Sequence, residues 1–220
     1  MKLINLHLLT LFFATASLHA MNQNIEITEL DNHSQHQTSV ITLFRNTFSK
    51  ADLPESLTHK YKPHHHETVD IVLHYPEAPK SLFKTCRQKP HDAFCGFMIH
   101  RNIESDRVED ITKCYDYVLP EDVNRKFKIV SLDFLAIKPE LRNTKGFGST
   151  AIKNLEANAL DQNYDYISLQ STVKATGFYT KYGYIATTMA DAHNGPSMVK
   201  ALNSDAQSIL TKILSADLNY

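Results

Sequence analysis

Between Lys128 and Leu160 the chain gathers residue types suited to holding an anion: Arg142 and Lys145, the glycines Gly146 and Gly148, and the hydroxyls of Ser149 and Thr150. Glycines at the start of a helix let the backbone approach a ligand closely. The unpaired N–H groups of the first turn then face that ligand with the positive end of the helix dipole behind them. This is the chemistry of a phosphate site, to which Arg142 and Lys145 add formal charge. A bare G-x-G is equally consistent with a plain structural turn. A few residues upstream, Asp133 places a carboxylate inside the apolar run Leu132-Asp-Phe-Leu-Ala-Ile. Burial there costs several kcal/mol unless the group is paired or solvated by a cleft.

These residues need a strand, a turn and a helix to position them, and the pattern supplies all three. Ile129, Leu132, Phe134 and Ala136 stand against polar neighbours as in a strand, which breaks at Pro139. Beyond the glycines, Phe147, Ala151, Ile152, Leu155 and Ala159 recur on one face of a helix.

The order P-x-x-R (Pro139, Arg142), then G-x-G (Gly146, Gly148), then about thirty residues later A-x-x-F-Y-x-K-x-G-Y (Ala175, Phe178, Tyr179, Lys181, Gly183, Tyr184) resembles the GNAT family of acetyl-CoA-dependent N-acetyltransferases. The resemblance covers Ile129 to Tyr184 and reaches the flanks only by pattern. It implies one α/β domain over 24–202, a mixed and mostly antiparallel sheet with helices on both faces, followed by a C-terminal helix in 203–220. It implies acetyl-CoA as cosubstrate, no required metal, and an amine-bearing acceptor that is a small molecule or a protein. Backbone groups of Leu135, Ala136 and Ile137 would pair with the pantetheine arm. The amides of Gly146, Phe147, Gly148, Ser149 and Thr150, helped by Arg142 or Lys145, would hold the pyrophosphate. Tyr179 would protonate the departing thiolate, and Asp133 would bind the acceptor ammonium or take its proton. Two departures stand out. The loop is one residue longer than the family's usual R-x-x-G-x-G, with Asn143 where a glycine is common, which bears on the pyrophosphate contacts of Arg142. Thr172 replaces a frequent asparagine, keeping a hydroxyl and losing an amide.

The chain has 220 residues, 42% of them hydrophobic, enough for one ordinary core and short for two domains. Its formal net charge of −1 argues against a general nucleic-acid binder. Met1 to Ala20 has the layout of a secretory signal: Lys2, an apolar run from Leu3 to Phe13, and small residues at Ala14 and Ala16. The alternatives are a secreted or periplasmic protein, or a cytoplasmic one whose translation starts at Met21. Either way no membrane span is expected after processing, and monomer and homodimer stay open. Cys86, Cys95 and Cys114 would allow one bridge in an exported chain and none in a reducing compartment.

The remaining elements follow from pattern. Asn24–Leu30, Thr68–Tyr75, Phe94–His100, Tyr164–Gln170, Tyr184–Thr188 and Met198–Leu202 read as strands. Thr38 and Ser39 can cap a helix carrying Val40, Leu43, Phe44 and Phe48, and a short helix runs from Lys174 to Tyr182. Ser204-x-x-Gln207 reads as a capping box for a last helix. The segment from Arg101 to Lys126 is longer than a hairpin needs, and Glu104, Asp106, Glu109 and Asp110 give it an acidic character suited to selecting a basic acceptor, or simply to a solvated loop. His64, His65 and His66 invite a metal reading, against which stands an ordinary solvated loop. Two further functions therefore stand beside the enzyme: a non-catalytic acyl-CoA-binding or interaction module on the same fold, and an exported metal-binding protein.

Overall fold

The computed structural model describes residues 25–30, 36–48, 57, 67–74, 94–114, 116–142, 146–189 and 195–216. The N-terminal 20 residues, Lys145, Cys86 and the His64–His66 run lie outside them.

Seven strands form one sheet in the order β1-β2-β3-β4-β5-β7-β6. They are β1 (Ile25–Glu29), β2 (Glu67–His74), β3 (Phe94–Ser105), β4 (Phe127–Ile137), β5 (Tyr166–Gln170), β6 (Ile185–Ala186) and β7 (Ser197–Ala201). All neighbours are antiparallel except β4 and β5. The helices are α1 (Gln37–Thr47), α2 (Val108–Thr112), α3 (Phe147–Asp161), α4 (Thr176–Lys181) and α5 (Ser204–Ala216). The strand, turn and helix expected from the pattern are β4, the turn at Gly146 and α3, and the chain then returns as β5 parallel to β4. The sheet is mixed and mostly antiparallel, with helices on both faces, as the resemblance implied.

One face of the sheet is covered by α3 and α4. There Ala151, Ile152, Leu155 and Ala159 of α3 pack with Met98, Val130, Leu132, Ile167, Leu169 and Met198. The other face carries two separate apolar clusters. Val40, Leu43 and Phe44 of α1 lie over Val69, Ile71, Phe97, Ile99 and Ala136. Ile111 of α2 and Ala206, Leu210 and Ile213 of α5 lie over Phe127, Ile129, Tyr166 and Val199.

Several boundaries differ from the sequence reading. The cap of α1 is His36, with Thr38 and Ser39 inside the helix and no side-chain cap bond. The cap of α5 is Asn203, whose Oδ1 accepts from the Ala206 N–H at 2.8 Å, one position before the Ser204 of the capping-box reading. Asn203 gains further hold because its amide donates to Asp165, the carboxylate that also pairs with Arg125. The expected helix from Lys174 splits into a 3-10 turn, Val173–Ala175, followed by α4. Strand β3 runs on to Ser105, five residues past the expected end at His100, because β4 pairs with it along this whole stretch. Among the described residues no helix is long and apolar enough to cross a membrane.

Candidate active site

The site assembles where β4 leaves β5. Ile129–Leu132 pairs with Tyr166–Leu169 in parallel. From Asp133 to Ile137, β4 continues beside β3 alone, with no strand on its other edge among the described residues. A wedge therefore opens between the ends of two strands.

Two local features of β3 and β4 shape it. Ile99 stands opposite Phe134 and His100 opposite Leu132, so Asp133 is an extra residue in the ladder. Such a bulge bends the strand and increases its twist. It also shifts the alternation by one: Val130 and Leu132 face the α3 side before it, Leu135 and Ile137 after it, while Phe134 and Ala136 turn to α1. Gly96 is the second feature. A Cβ there would lie 2.3 Å from the Ala136 carbonyl oxygen and 2.6 Å from Ile137 Cδ1. No real Cβ tolerates such contacts, so only glycine lets β3 support the end of β4 this closely.

Helix α3 starts near this end of β4. Its N-cap, Gly146, has φ 73°, the left-handed region that favours glycine, and no side chain caps the helix. A Cβ on Gly148, in the first turn, would lie 3.6 Å from Phe178 and 3.8 Å from Ile137 Cγ1, which brings the start of α3, the end of β4 and α4 together. Ser149 and Thr150 are half-buried in the same turn, and the Thr150 N–H already bonds to Gly146 O at 2.9 Å. The Phe147 side chain is buried in the core, so only its backbone belongs to a ligand surface. Arg142 folds back, its Nε donating to Ile137 O at 3.0 Å. That bond fixes the guanidinium at the mouth of the wedge. Lys145 lies outside the described residues.

On the opposite arm, Thr172 follows the end of β5 with its side chain exposed. Its carbonyl accepts from Ser171 Oγ at 2.8 Å and from Thr176 Oγ1 at 3.2 Å. Gly195 presses on this turn so closely that a Cβ would meet Thr172 C at 2.5 Å. From there α4 carries Tyr179, buried between Phe178 and Tyr184, whose rings stand edge-on to it at 5.1 and 5.6 Å. Burial pushes the Tyr179 phenol up to about 12. It stays protonated throughout the neutral range.

Asp133 opens onto the face opposite α3, between the α1 cluster and the α2–α5 cluster. It is not a free base: Arg101 donates to it twice, from Nε at 2.6 Å and Nη2 at 3.1 Å, and Ser131 Oγ donates at 3.1 Å. Lys113 reaches the same place, its Nζ donating to Ser131 Oγ at 3.2 Å. Loss of hydration on burial lowers the Lys113 pKa, against the attraction of Asp133 and Asp110. Of the acidic residues of the 101–126 segment, Asp110 lies close enough to attract Lys113. Glu109 pairs with Arg107, Asp110 accepts from Ser105 Oγ at 2.6 Å, and Glu104 and Asp106 point to solvent. The cations this segment delivers beneath β4 are Arg101, on Asp133, and Lys113, on Ser131.

Sequence reasoning thus found the glycine turn, the strand and the tyrosine, and missed Gly96, Arg101, Lys113 and Ser131. The bulge left no mark in the pattern: Leu132 and Phe134 stand two apart, as on one face of a regular strand, yet lie on opposite faces. Among the described residues no three His, Cys, Asp or Glu side chains converge on a metal site.

Comparison with known proteins agrees with this architecture. Residues 123–200 match the family model for the acetyltransferase (GNAT) domain. An acetyltransferase from Streptococcus agalactiae 2603 superimposes with a TM-score of 0.50 at 16% identity, over 82% of this chain and 99% of its own. A GNAT-family acetyltransferase from Staphylococcus aureus Mu50 gives 0.50 at 14% identity, over 81% and 99%. The NatC complex bound to Gag peptide and CoA gives 0.50 at 13% identity, over 82% and 100%. At these identities the likeness to solved structures is one of fold. No curated protein matches the chain. Residues 123–200 are thus similar to a GNAT acetyltransferase domain, a family whose chemistry is acyl transfer.

Proposed function

We propose that this chain transfers an acetyl group from acetyl-CoA to a primary amine by direct attack of the unprotonated amine on the thioester carbonyl. The observation that carries this is the wedge: a β4 edge from Asp133 to Ile137 with no neighbour among the described residues, ending at a helix start with no side-chain cap.

The residues fit such a cosubstrate. The open edge of Leu135, Ala136 and Ile137 offers backbone groups to an amide-bearing pantetheine arm, which would extend the sheet as a strand does. The amides around Gly148 and Ser149 point their positive end at a pyrophosphate, with Arg142 beside them and Lys145 in the same loop. Thr172 offers a hydroxyl from the other arm. Tyr179 donates its phenolic proton to the departing sulfur as the C–N bond forms and the C–S bond breaks, and the proton that leaves the amine nitrogen restores the phenol through water. Asp133 orients the incoming amine while Arg101 holds the carboxylate in place. Much of the acceleration comes from holding amine and thioester in line. The acceptor is a small amine or a protein amine, in an exported chain or in one that starts at Met21.

The test is release of CoA thiol from acetyl-CoA across a panel of primary amines, with Tyr179→Phe as the control. Amine-dependent thiol release that falls about 100-fold in the variant supports the reading. Tight CoA binding with no turnover of any amine or protein substrate would instead favour the non-catalytic module.

A further inference from the structure

Lys113 occupies an unusual position for a surface-type residue. It follows α2 as its C-cap with φ 57°, a left-handed backbone that non-glycine residues rarely adopt. The strained turn directs a half-buried side chain under the sheet to Ser131, one residue before β4 parts from β5. Among the described residues its ammonium has a hydroxyl partner and no ion pair. The charged groups around it are otherwise engaged: Asp133 by Arg101 and Ser131, Asp110 by Ser105.

A half-buried ammonium whose neighbouring carboxylates, Asp133 and Asp110, are each held by another group is incompletely compensated, and an anion completes it. Lys113 lies at the apex of the wedge, on the face opposite α3. Since the helix start and Arg142 hold the cosubstrate's anionic end elsewhere, this face is the one left for the acceptor. Resting on the acetyltransferase reading above, we propose that the acceptor bears a carboxylate near its reacting amine and that Lys113 binds it. A simple cationic amine without that group would meet Lys113 and Arg101 as like charges.

The experiment measures kcat/KM of the full chain with paired probes that differ only in the carboxylate: γ-aminobutyrate against n-butylamine, and L-phenylalanine against phenethylamine. The expected result is a preference for the carboxylate-bearing member, carried by KM. In Lys113→Met that preference shrinks about ten-fold, the size of one lost charge-assisted bond, while Lys113→Arg retains most of it. Matched thermal unfolding of the variants separates this from a folding defect. Equal use of both members, acetylation of the carboxylate-free amines alone, or acetyl-CoA binding with no turnover of either carboxylate-bearing probe would overturn the inference and leave cosubstrate binding intact. So would a mass increase showing that acetyl-CoA alone acetylates Lys113. Absence of acetyl-CoA binding would remove the acetyltransferase reading itself, and this inference with it.

Discussion

Arg101 grips Asp133 with two parallel hydrogen bonds, 2.6 Å from Nε and 3.1 Å from Nη2, across the bulge that β4 makes against β3. Arg101 is nearly half exposed, with 46% of its side chain accessible, so the pair contributes little to folding. Asp133→Asn is therefore expected to change stability by less than about 1 kcal/mol in urea unfolding. If Asp133 orients the acceptor, the same variant lowers kcat/KM by about 10- to 100-fold. An unchanged kcat/KM would assign Asp133 to shaping the bulge alone.

Gly96 supports the end of β4 through backbone contact too close for any side chain. Gly96→Ala forces the Ala136 carbonyl and Ile137 to move and is expected to cost about 1–3 kcal/mol, read from the urea midpoint. Because Ile137 also borders Gly148 and accepts from Arg142, acetyl-CoA affinity should fall with stability. Loss of stability at full affinity would separate the strand end from the cosubstrate site.

Tyr179 binds its proton more tightly folded than unfolded, because burial raises its pKa from 10.0 to about 12. Below pH 10 the two states hold the same proton and stability is unaffected by this group. Between about pH 10 and 12 the unfolded chain loses the proton first, so stability falls as pH rises. The loss from this one phenol is about 3 kcal/mol. Tyr166 and Tyr184 are also raised by burial, so the comparison must be made by variant. Tyr179→Phe should shrink the fall between pH 10 and 12 by its own share, in denaturant titrations at each pH. An identical alkaline slope in both proteins would show that Tyr179 is less buried than its packing indicates.

The last helix tests the two readings of its start. Asn203→Ala removes the side-chain acceptor for the Ala206 N–H and should cost about 1 kcal/mol in thermal or urea unfolding. Ser204→Ala should cost a few tenths at most, since Ser204 is exposed inside the helix. The reverse ranking would restore the capping box.

What was legible in the sequence follows from range. The periodicity of Phe147, Ala151, Ile152, Leu155 and Ala159, and the alternation around Ile129, are local signals, and each became the element expected. The Gly146 turn was legible because left-handed backbone selects glycine. The Arg101–Asp133–Ser131–Lys113 cluster was not, because it joins β3, the residue after α2 and β4, which only tertiary pairing brings together. Asp133 looked like an available carboxylate since nothing local shows its partner 32 positions away. The capping box failed by one residue because Asn203, also a good cap, gains an extra bond to Asp165.

Cosubstrate binding tests the central claim most directly. Calorimetric titration of acetyl-CoA into the chain and into Gly148→Asp compares the helix start with and without a carboxylate in its first turn. A Cβ at Gly148 makes only ordinary contacts at 3.6–3.8 Å, so the variant should fold. The account predicts saturable binding by the wild type, weakened at least about ten-fold in the variant by charge repulsion. A folded wild-type protein that binds neither acetyl-CoA nor CoA, or a variant that binds as tightly as wild type, would contradict it.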